Sequence, residues 1–262
     1  MGARSRSLQI VHGDGTFSYD QPVREGSLRL QKAVLCRSAG HLNFKVAALA
    51  MQRGHNHIIF CTPDSSSWMV SSSNFVTIGS DLEFYQEKLF FLAAIRKSCS
   101  SLNSVVTCAS FQQVCRCGAV NPPVLDNTEQ HRNLVRSPDG LLLVVRYFTI
   151  TWDQLTAVRV LELDTGSFTW SEKRTLGPMS ILISLNSSKC IDASGHDEIR
   201  SDHVYFVDHL CPQFLPAAED APQFSYRSQV YSLKTGLITE QLIGREPTSR
   251  RPGYPMWFFP TD

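Results

Sequence analysis

Short apolar runs separated by turn sequences fill most of the chain, and this pattern constrains its fold more than any other feature. The runs have the length and the aromatic and β-branched content of strands, and they recur at the spacing of an all-β protein. We predict strands at 32–36, 45–51, 57–61, 68–70, 105–108, 114–118, 133–136, 141–147, 157–163, 168–172, 181–185, 204–207, 229–233 and 256–259.

Two segments need a separate argument. Pro138-Asp139-Gly140 lies between two apolar runs, and it predicts a tight hairpin because Pro presets φ and Gly accepts a positive φ. Residues 81–97 could form an amphipathic helix, since their apolar side chains lie close to helical spacing. Because the neighbouring segments are strands, we predict instead a hairpin that turns at 86–88.

Weak internal repeats narrow the fold further. Residues 160–166 and 230–236 share four of seven residues in register, at an offset of 70. The same offset relates Leu134-Val135 to Val204-Tyr205, and Trp68 and Trp170 lie 102 residues apart. Tandem units of about 50 residues, each with about four short strands, are typical of a β-propeller. The alternative is a β-sandwich in which two hairpins are similar by chance.

Composition argues against two classes of partner and indicates a compartment. With 25 Lys and Arg against 24 Asp and Glu, the net charge is +1, which argues against a nucleic-acid partner. No apolar run approaches the ~20 residues of a membrane span, so we expect no membrane partner. No apolar stretch follows the basic N-terminus, so the eight cysteines are predicted to be reduced thiols in a cytoplasmic or nuclear protein.

Cysteine and histidine groups are the first candidates for a metal site. Cys115 and Cys117, with Cys99 and Cys108 upstream, lack the spacing of a zinc knuckle, so we predict that they pack in the core. The remaining groups lack the ligands that would complete a shell, and we interpret them as surface or turn residues: His55 and His57, and His203, Asp208 and His209. We predict no metal and no cofactor.

Catalytic candidates are equally few. Residues 192–197 contain the Asp, Ser and His of a hydrolytic triad, but triads assemble from separate elements, so we predict a polar loop. The sequence predicts no catalytic residue. Other polar and aromatic residues are interpreted as a solvated basic turn at Arg245, Arg250 and Arg251 and as core aromatics at Trp68, Trp170 and Trp257.

The chain resembles the plant F-box family that carries domain of unknown function 295, a KIB-type β-propeller. The most recognisable stretch is the hairpin at 131–146, and each later motif follows in the family's order. These motifs are Leu163-Asp164, Trp170, Leu176-Gly177, Asn186-Ser187-Ser188, Val204-Tyr205-Phe206-Val207-Asp208 and Trp257-Phe258-Phe259-Pro260. Upstream, the likeness includes Lys32-Ala33-Val34-Leu35, Phe60-Cys61-Thr62-Pro63 with Trp68, and Phe84-Tyr85 with Lys88-Leu89.

This resemblance implies a protein-interaction module similar to the substrate receptor of an F-box ubiquitin ligase, with an unknown target protein and without enzyme activity. We expect a flexible segment at 1–27 that holds no F-box, followed by the propeller domain at 28–262. A Skp-type adaptor is therefore not an expected partner. The propeller is expected to be incomplete at its N-terminal side, so that open blade edges favour self-association.

Two other functions remain open from the sequence. One is a hydrolase-type enzyme with its active site in the propeller channel, which matching carboxylates or histidines in several repeats would favour. The other is a non-functional product of a truncated gene.

Overall fold

The computed structural model describes fourteen stretches of the chain, and it confirms the all-β prediction. They hold nineteen strands and one short 3-10 helix at Ala193–Gly195. Nowhere in them does a helix reach the length and hydropathy of a membrane span. The described residues are 7–11, 17–22, 28–37, 44–52, 55–61, 68–71, 81–86, 88–95, 102–108, 114–117, 128–149, 154–184, 187–210 and 225–245.

The chain divides into two compact units. The first comprises Met1–Pro122 and Thr165–Thr169, and the second comprises Pro123–Asp164 and Trp170–Asp262. The first unit contains a six-stranded sheet in the order β2-β1-β6-β5-β4-β3 and a four-stranded sheet in the order β10-β9-β8-β7. The strands are β1 Ser7–Val11, β2 Phe17–Pro22, β3 Leu28–Arg37, β4 Phe44–Gln52, β5 His55–Cys61, β6 Trp68–Ser71, β7 Leu82–Tyr85, β8 Lys88–Ile95, β9 Leu102–Cys108 and β10 Val114–Cys117.

Two findings in the first unit bear on the sequence predictions. The predicted hairpin forms at Leu82–Tyr85 and Lys88–Ile95: β7 pairs antiparallel with β8, and Tyr85 lies opposite Lys88, which confirms the predicted turn. The flexible segment predicted at 1–27 instead contains two strands, because β1 pairs with β2 and also lies parallel to β6. Sequence periodicity missed them since five- and six-residue strands give few alternations to count.

The second unit contains a four-stranded sheet in the order β11-β12-β13-β14 and a five-stranded sheet in the order β16-β15-β17-β18-β19. Its core contains Val144, Val160, Ile181, Val204 and Phe206, all buried. Strands β16 and β19 were not predicted. The strands are β11 Thr128–Arg136, β12 Leu141–Thr149, β13 Leu155–Asp164, β14 Thr169–Glu172, β15 Met179–Ser184, β16 Ser188–Asp192, β17 His203–Leu210, β18 Ser225–Ser232 and β19 Ile238–Arg245.

The two sheets of the second unit explain one of the two repeat matches. The 160–166 match lies at the end of β13 and the 230–236 match at the end of β18, and each strand is second from the end of its sheet. The other match pairs β11, an end strand, with β17, an interior strand, so it does not relate equivalent positions.

The hairpin at Pro138-Asp139-Gly140 forms as predicted, but Gly140 is required for a different reason. β11 pairs with β12 along their full length, and the turn closes with a hydrogen bond from the Ser137 N–H to the Gly140 carbonyl at 2.9 Å. Among the described glycines, only Gly177 and Gly236 have a positive φ. A Cβ on Gly140 would instead lie 2.8 Å from Glu162 Oε1, so the position needs space rather than backbone freedom.

We expect Gly140→Ala to lower the free energy of unfolding by about 1 kcal/mol, since the new methyl group displaces the Glu162 carboxylate. That carboxylate accepts a bond from Lys173 Nζ at 2.9 Å, and the displacement would break it. Urea unfolding of Gly140→Ala, Glu162→Ala and the double variant measures the coupling. Equal costs of Gly140→Ala with and without Glu162 would contradict this explanation.

Candidate functional site

The strand register separates two faces of the β11–β14 sheet. Val135 lies opposite Leu142, and these residues belong to the core of the second unit. Side chains on a strand alternate between faces. Gln130 lies opposite Tyr147, and Arg132 lies opposite Val145, so these four side chains share the other face. We call this the Arg132 face. It also carries Arg159 of β13, which lies opposite Val145 of β12.

Arg132 is a partly buried cation whose one hydrogen-bond partner within the described ranges is a neutral group. Its Nη2 donates to Oε1 of Gln130, two residues earlier on β11. Burial lowers the pKa of the Arg132 guanidinium to about 10, against a smaller effect of Tyr147 in the opposite direction. The guanidinium nevertheless stays charged at neutral pH.

The Tyr147 hydroxyl lies beside Arg132 on the same face and lacks a hydrogen-bond acceptor. The side chain is 1% exposed, and within the described residues no acceptor receives its O–H, although the Arg159 guanidinium lies close enough to donate to the phenol oxygen. Burial raises the pKa of Tyr147, while the nearby Arg159 and Arg132 guanidiniums act to lower it. Arg159 can only donate to the phenol oxygen, so it cannot accept the phenol hydrogen.

Glu172 supplies one carboxylate at the edge of the Arg132 face. Its Oε1 accepts a bond from Arg159 Nε at 3.0 Å, and that pair is partly exposed. Trp170 lies two residues before Glu172 on β14, and its buried Nε1 has no hydrogen-bond partner in the described part of the chain. Donor groups on this face therefore outnumber the acceptors near them.

The core face of the same sheet holds a buried arginine. Arg146 is 0% exposed, and its Nη2 lies 2.9 Å from His131 Nδ1 and 3.4 Å from Asn133 Oδ1. The guanidinium also lies over the Phe206 ring, 4.8 Å from its centroid, and 5.6 Å from that of Phe148. Arg146 thus joins the β11–β14 sheet to β17 through hydrogen bonds and a cation–π contact.

The first unit has a buried charge cluster of its own. Lys32 Nζ lies 2.8 Å from Asp81 Oδ1 and 3.7 Å from Glu83 Oε2. Asp81 Oδ1 also accepts the N–H of Leu82 at 2.7 Å. The cluster joins β3 to β7 through one ammonium and two carboxylates.

The residues 192–197 form an exposed turn whose geometry is not that of a triad. Ser194 donates both its N–H, at 2.9 Å, and its hydroxyl, at 2.7 Å, to Asp192 Oδ1. These bonds lower the pKa of Asp192. The His196 N–H donates to the Ala193 carbonyl at 3.1 Å, which is a backbone bond within the turn. The serine hydrogen is directed at the carboxylate, whereas a nucleophile must give it to the imidazole.

The predicted metal candidates are not brought together in the described part of the chain. Strand pairing sets Cys115 opposite Thr107 and Cys117 opposite Val105, and Cys108 lies opposite Val114. His55 and His57 lie on β5, and His203, Asp208 and His209 lie on β17. No group of three His, Cys, Asp or Glu side chains within the described stretches could hold a metal ion. Cys99, Arg250, Arg251 and Trp257 lie outside the described residues, as does the strand predicted at 256–259.

Trp170 lies on β14, an end strand of its sheet, where its side chain is partly buried and its Nε1 is buried, so its role as a core aromatic stays a prediction. A four-residue end strand buries less of a side chain than an interior strand does. Trp68 lies in β6 opposite Leu8, and Arg245 ends β19 opposite Ser225.

Cys190 has the chemistry of an unreactive thiol. Burial raises its pKa to about 11, and Asp139 adds to the effect. Because the thiolate is the reactive form, less than about 1% of the thiol is available at pH 8. We expect iodoacetamide to alkylate the Cys190 thiol far more slowly than it alkylates the thiol of free glutathione at pH 8. The alkylation rate of Cys190 should rise about tenfold per pH unit up to pH 10. Peptide mapping by mass spectrometry measures this rate, and fast labelling at pH 7 would contradict it.

Sequence analysis missed Arg132, Tyr147, Arg159 and Arg146. A usable signal was Arg146 itself, a charged residue inside the apolar run at 141–148. A buried charge normally has fixed partners, so it marks a polar network within the core. The residues of the Arg132 face gave no such signal. Arg132 lies in a polar stretch between His131 and Asn133, and Arg159 alternates with Val158 and Val160 as a solvent-exposed side chain does.

The arrangement of strands in the sheets agrees with a β-propeller family. Two of the sheets, β7–β10 and β11–β14, are four-stranded and pair in sequence order, as the blades of β-propeller proteins do. A family model for the KIB1-4 beta-propeller matches residues 8–232. The chain belongs to this family, which confirms the predicted propeller class. The match begins twenty residues before the domain start predicted at 28.

Solved structures give weaker likenesses, and no functionally curated protein matches the chain. A levansucrase variant from Bacillus subtilis has 13% identity and a TM-score of 0.38, covering 83% of this chain and 74% of that one. A mannose phosphorylase from Leishmania mexicana in complex with phosphate ion has 8% identity and a TM-score of 0.37, covering 91% and 72%.

Proposed function

We propose that this chain is a protein-interaction module without catalytic activity, which binds a target protein in the way that its resemblance to F-box substrate receptors implies. Membership in a β-propeller family supports this proposal, because propellers present their connecting turns on a rigid scaffold of blades. No Skp-type adaptor is required for target binding in this proposal.

The turn between β18 and β19 carries the proposal. Leu237 is 66% exposed, and Lys234, Thr235 and Gly236 around it are exposed as well. The turn is nevertheless fixed: the Ser232 N–H donates to the Leu237 carbonyl at 3.0 Å, and the Gly236 N–H donates to the Ser232 carbonyl at 2.8 Å. Gly236 adopts a φ of +70°, which the turn requires and glycine adopts without strain.

A fixed turn lowers the entropic cost of binding. A scattered exposed leucine is common on protein surfaces and by itself indicates little. Here the backbone around Leu237 is already ordered. A partner that covers the side chain therefore gains apolar burial, and the turn loses little conformational entropy on binding. A target protein with a shallow apolar pocket fits this turn.

Quantitative affinity capture with the purified chain tests the proposal. We expect Leu237→Asp to reduce recovery of a specific target protein at least tenfold. Thr239→Asp, which places the same charge on an exposed residue two positions away, should retain it. Unchanged melting temperatures in both variants would show that folding is intact. Equal recovery with all three proteins would contradict the proposal.

A second titration separates target binding from membership in a ligase. Purified Skp-type adaptor is added to the chain and followed by isothermal calorimetry. We expect no saturable binding at micromolar concentrations. Tight binding would place the chain in the ligase directly and would contradict an adaptor-independent module.

A further inference from the structure

We propose that Arg132 and the Tyr147 hydroxyl together bind a carboxylate on the Arg132 face of the β11–β14 sheet. The inference does not depend on the proposed function, because it concerns a face of one sheet and is tested with small anions. It assigns a ligand class to residues that the interaction turn does not use.

Hydrogen-bond donors on this face exceed the acceptors. Arg132 has five N–H donors, and in the described residues its Nη2 donates to Gln130 Oε1. Within the described residues the Tyr147 O–H has no acceptor, although its side chain is almost completely buried and Arg159 can donate only to its oxygen. Leaving a buried hydroxyl hydrogen without an acceptor costs about 1–3 kcal/mol. A hydrogen-bond acceptor bound between Arg132 and Tyr147 would therefore satisfy donors of both residues.

The Arg132 guanidinium and the Tyr147 hydroxyl lie close together on the sheet. Tyr147 lies directly opposite Gln130 on the neighbouring strand, and Arg132 follows Gln130 by two residues. Arg132 and Tyr147 are thus diagonal neighbours on one face, within reach of a single small ligand. Arg132 is partly exposed, which leaves an approach from its side.

Charge limits the kind of anion that fits. The face carries a third guanidinium, Arg136, but this residue lies at the end of β11, opposite Leu141. Arg132 and Arg159 lie on either side of Val145, two residues from Tyr147. Together with the carboxylate of Glu172, these two guanidiniums give the part of the face around Tyr147 one net positive charge. Glu172 is already bonded to Arg159 at 3.0 Å. A monoanion would neutralise the remaining charge, and a phosphate dianion would exceed it. A carboxylate has two oxygens, so one can accept from the guanidinium and the other from the phenol.

The experiment compares sodium acetate with sodium chloride at equal ionic strength, using the full chain and its melting temperature. We expect acetate to raise the melting temperature with a saturable dose dependence, and chloride to do so much less. Arg132→Gln should abolish the response, and Tyr147→Phe should weaken it at least fivefold. Arg136→Gln is the matched control, since Arg136 is an exposed arginine on the same strand.

A second arm distinguishes the source of the carboxylate. A short blocked peptide with one glutamate is compared with the same peptide carrying glutamine. Saturation by the glutamate peptide at lower concentration than acetate would assign the site to an acidic side chain of a partner, and acetate alone would assign it to a free carboxylate. Absence of any acetate-specific response, or an equal response in Arg132→Gln, would overturn the inference. If Arg132→Gln does not fold, Tyr147→Phe decides by the same criterion.

Discussion

Replacing Arg146 with alanine is expected to lower the free energy of unfolding by about 3–5 kcal/mol. The substitution removes the donor that His131 and Asn133 share, and it leaves a cavity beside Phe206 in the core of the second unit. A buried acceptor that loses its donor costs about 1–3 kcal/mol, and the lost packing adds to that.

Two further substitutions separate the contribution of the hydrogen bonds from that of the packing. Arg146→Met keeps most of the volume but none of the donors, so we expect a smaller loss of about 1–3 kcal/mol. Arg136→Ala removes an exposed arginine from the preceding strand and should cost less than about 0.5 kcal/mol. Urea unfolding and hydrogen exchange of the β11 and β12 amides provide the measurements. A loss for Arg146→Ala no larger than that for Arg136→Ala would show that the cluster does not stabilise the fold.

Replacing Lys32 with methionine is expected to cost about 3–5 kcal/mol in the first unit. The side chains of Lys32, Asp81 and Glu83 are 9%, 5% and 14% exposed, so solvent screens their charges little. Without the ammonium, the buried carboxylates of Asp81 and Glu83 would lose the cation that pairs with both of them. Hydrogen exchange of the β3 and β7 amides should locate the loss, because these strands are joined by the cluster.

A triple variant provides the control for this effect. Lys32→Met combined with Asp81→Asn and Glu83→Gln removes every charge of the cluster while keeping its volume. We expect it to recover at least half of the stability that Lys32→Met loses, since replacing a whole buried ion pair is often close to neutral. A triple variant less stable than Lys32→Met would contradict this explanation. It would show that the two carboxylates stabilise the unit without the ammonium, for example through the bond that Asp81 accepts from the Leu82 N–H.

The hairpins show how far local sequence could predict the fold. The turn at 86–88 and the turn at Pro138-Asp139-Gly140 both form where they were predicted. Turn chemistry acts over a few residues, so the sequence contains it fully. The reason for Gly140 is different: it makes room for Glu162, a residue on β13 whose position depends on strand pairing.

Repeats and strand order illustrate the limit of sequence periodicity. The 70-residue offset does relate β13 to β18, yet its second match joins strands in unequal positions. Two parallel pairings, β1 with β6 and β15 with β17, leave no mark in the sequence. Parallel neighbours are set by which distant strands share a sheet, and alternation within one strand cannot encode that.

The sequence by itself determined the all-β class, most of the strands and the propeller family, because strand periodicity, turn residues and ordered motifs are local. Tertiary structure decided the polar sites. Arg132 and Tyr147 share one face only because register sets Gln130 opposite Tyr147, and Arg146 meets His131 only through the pairing of β11 with β12. The deciding quantities are burial and the supply of acceptors, and both arise when distant strands come together.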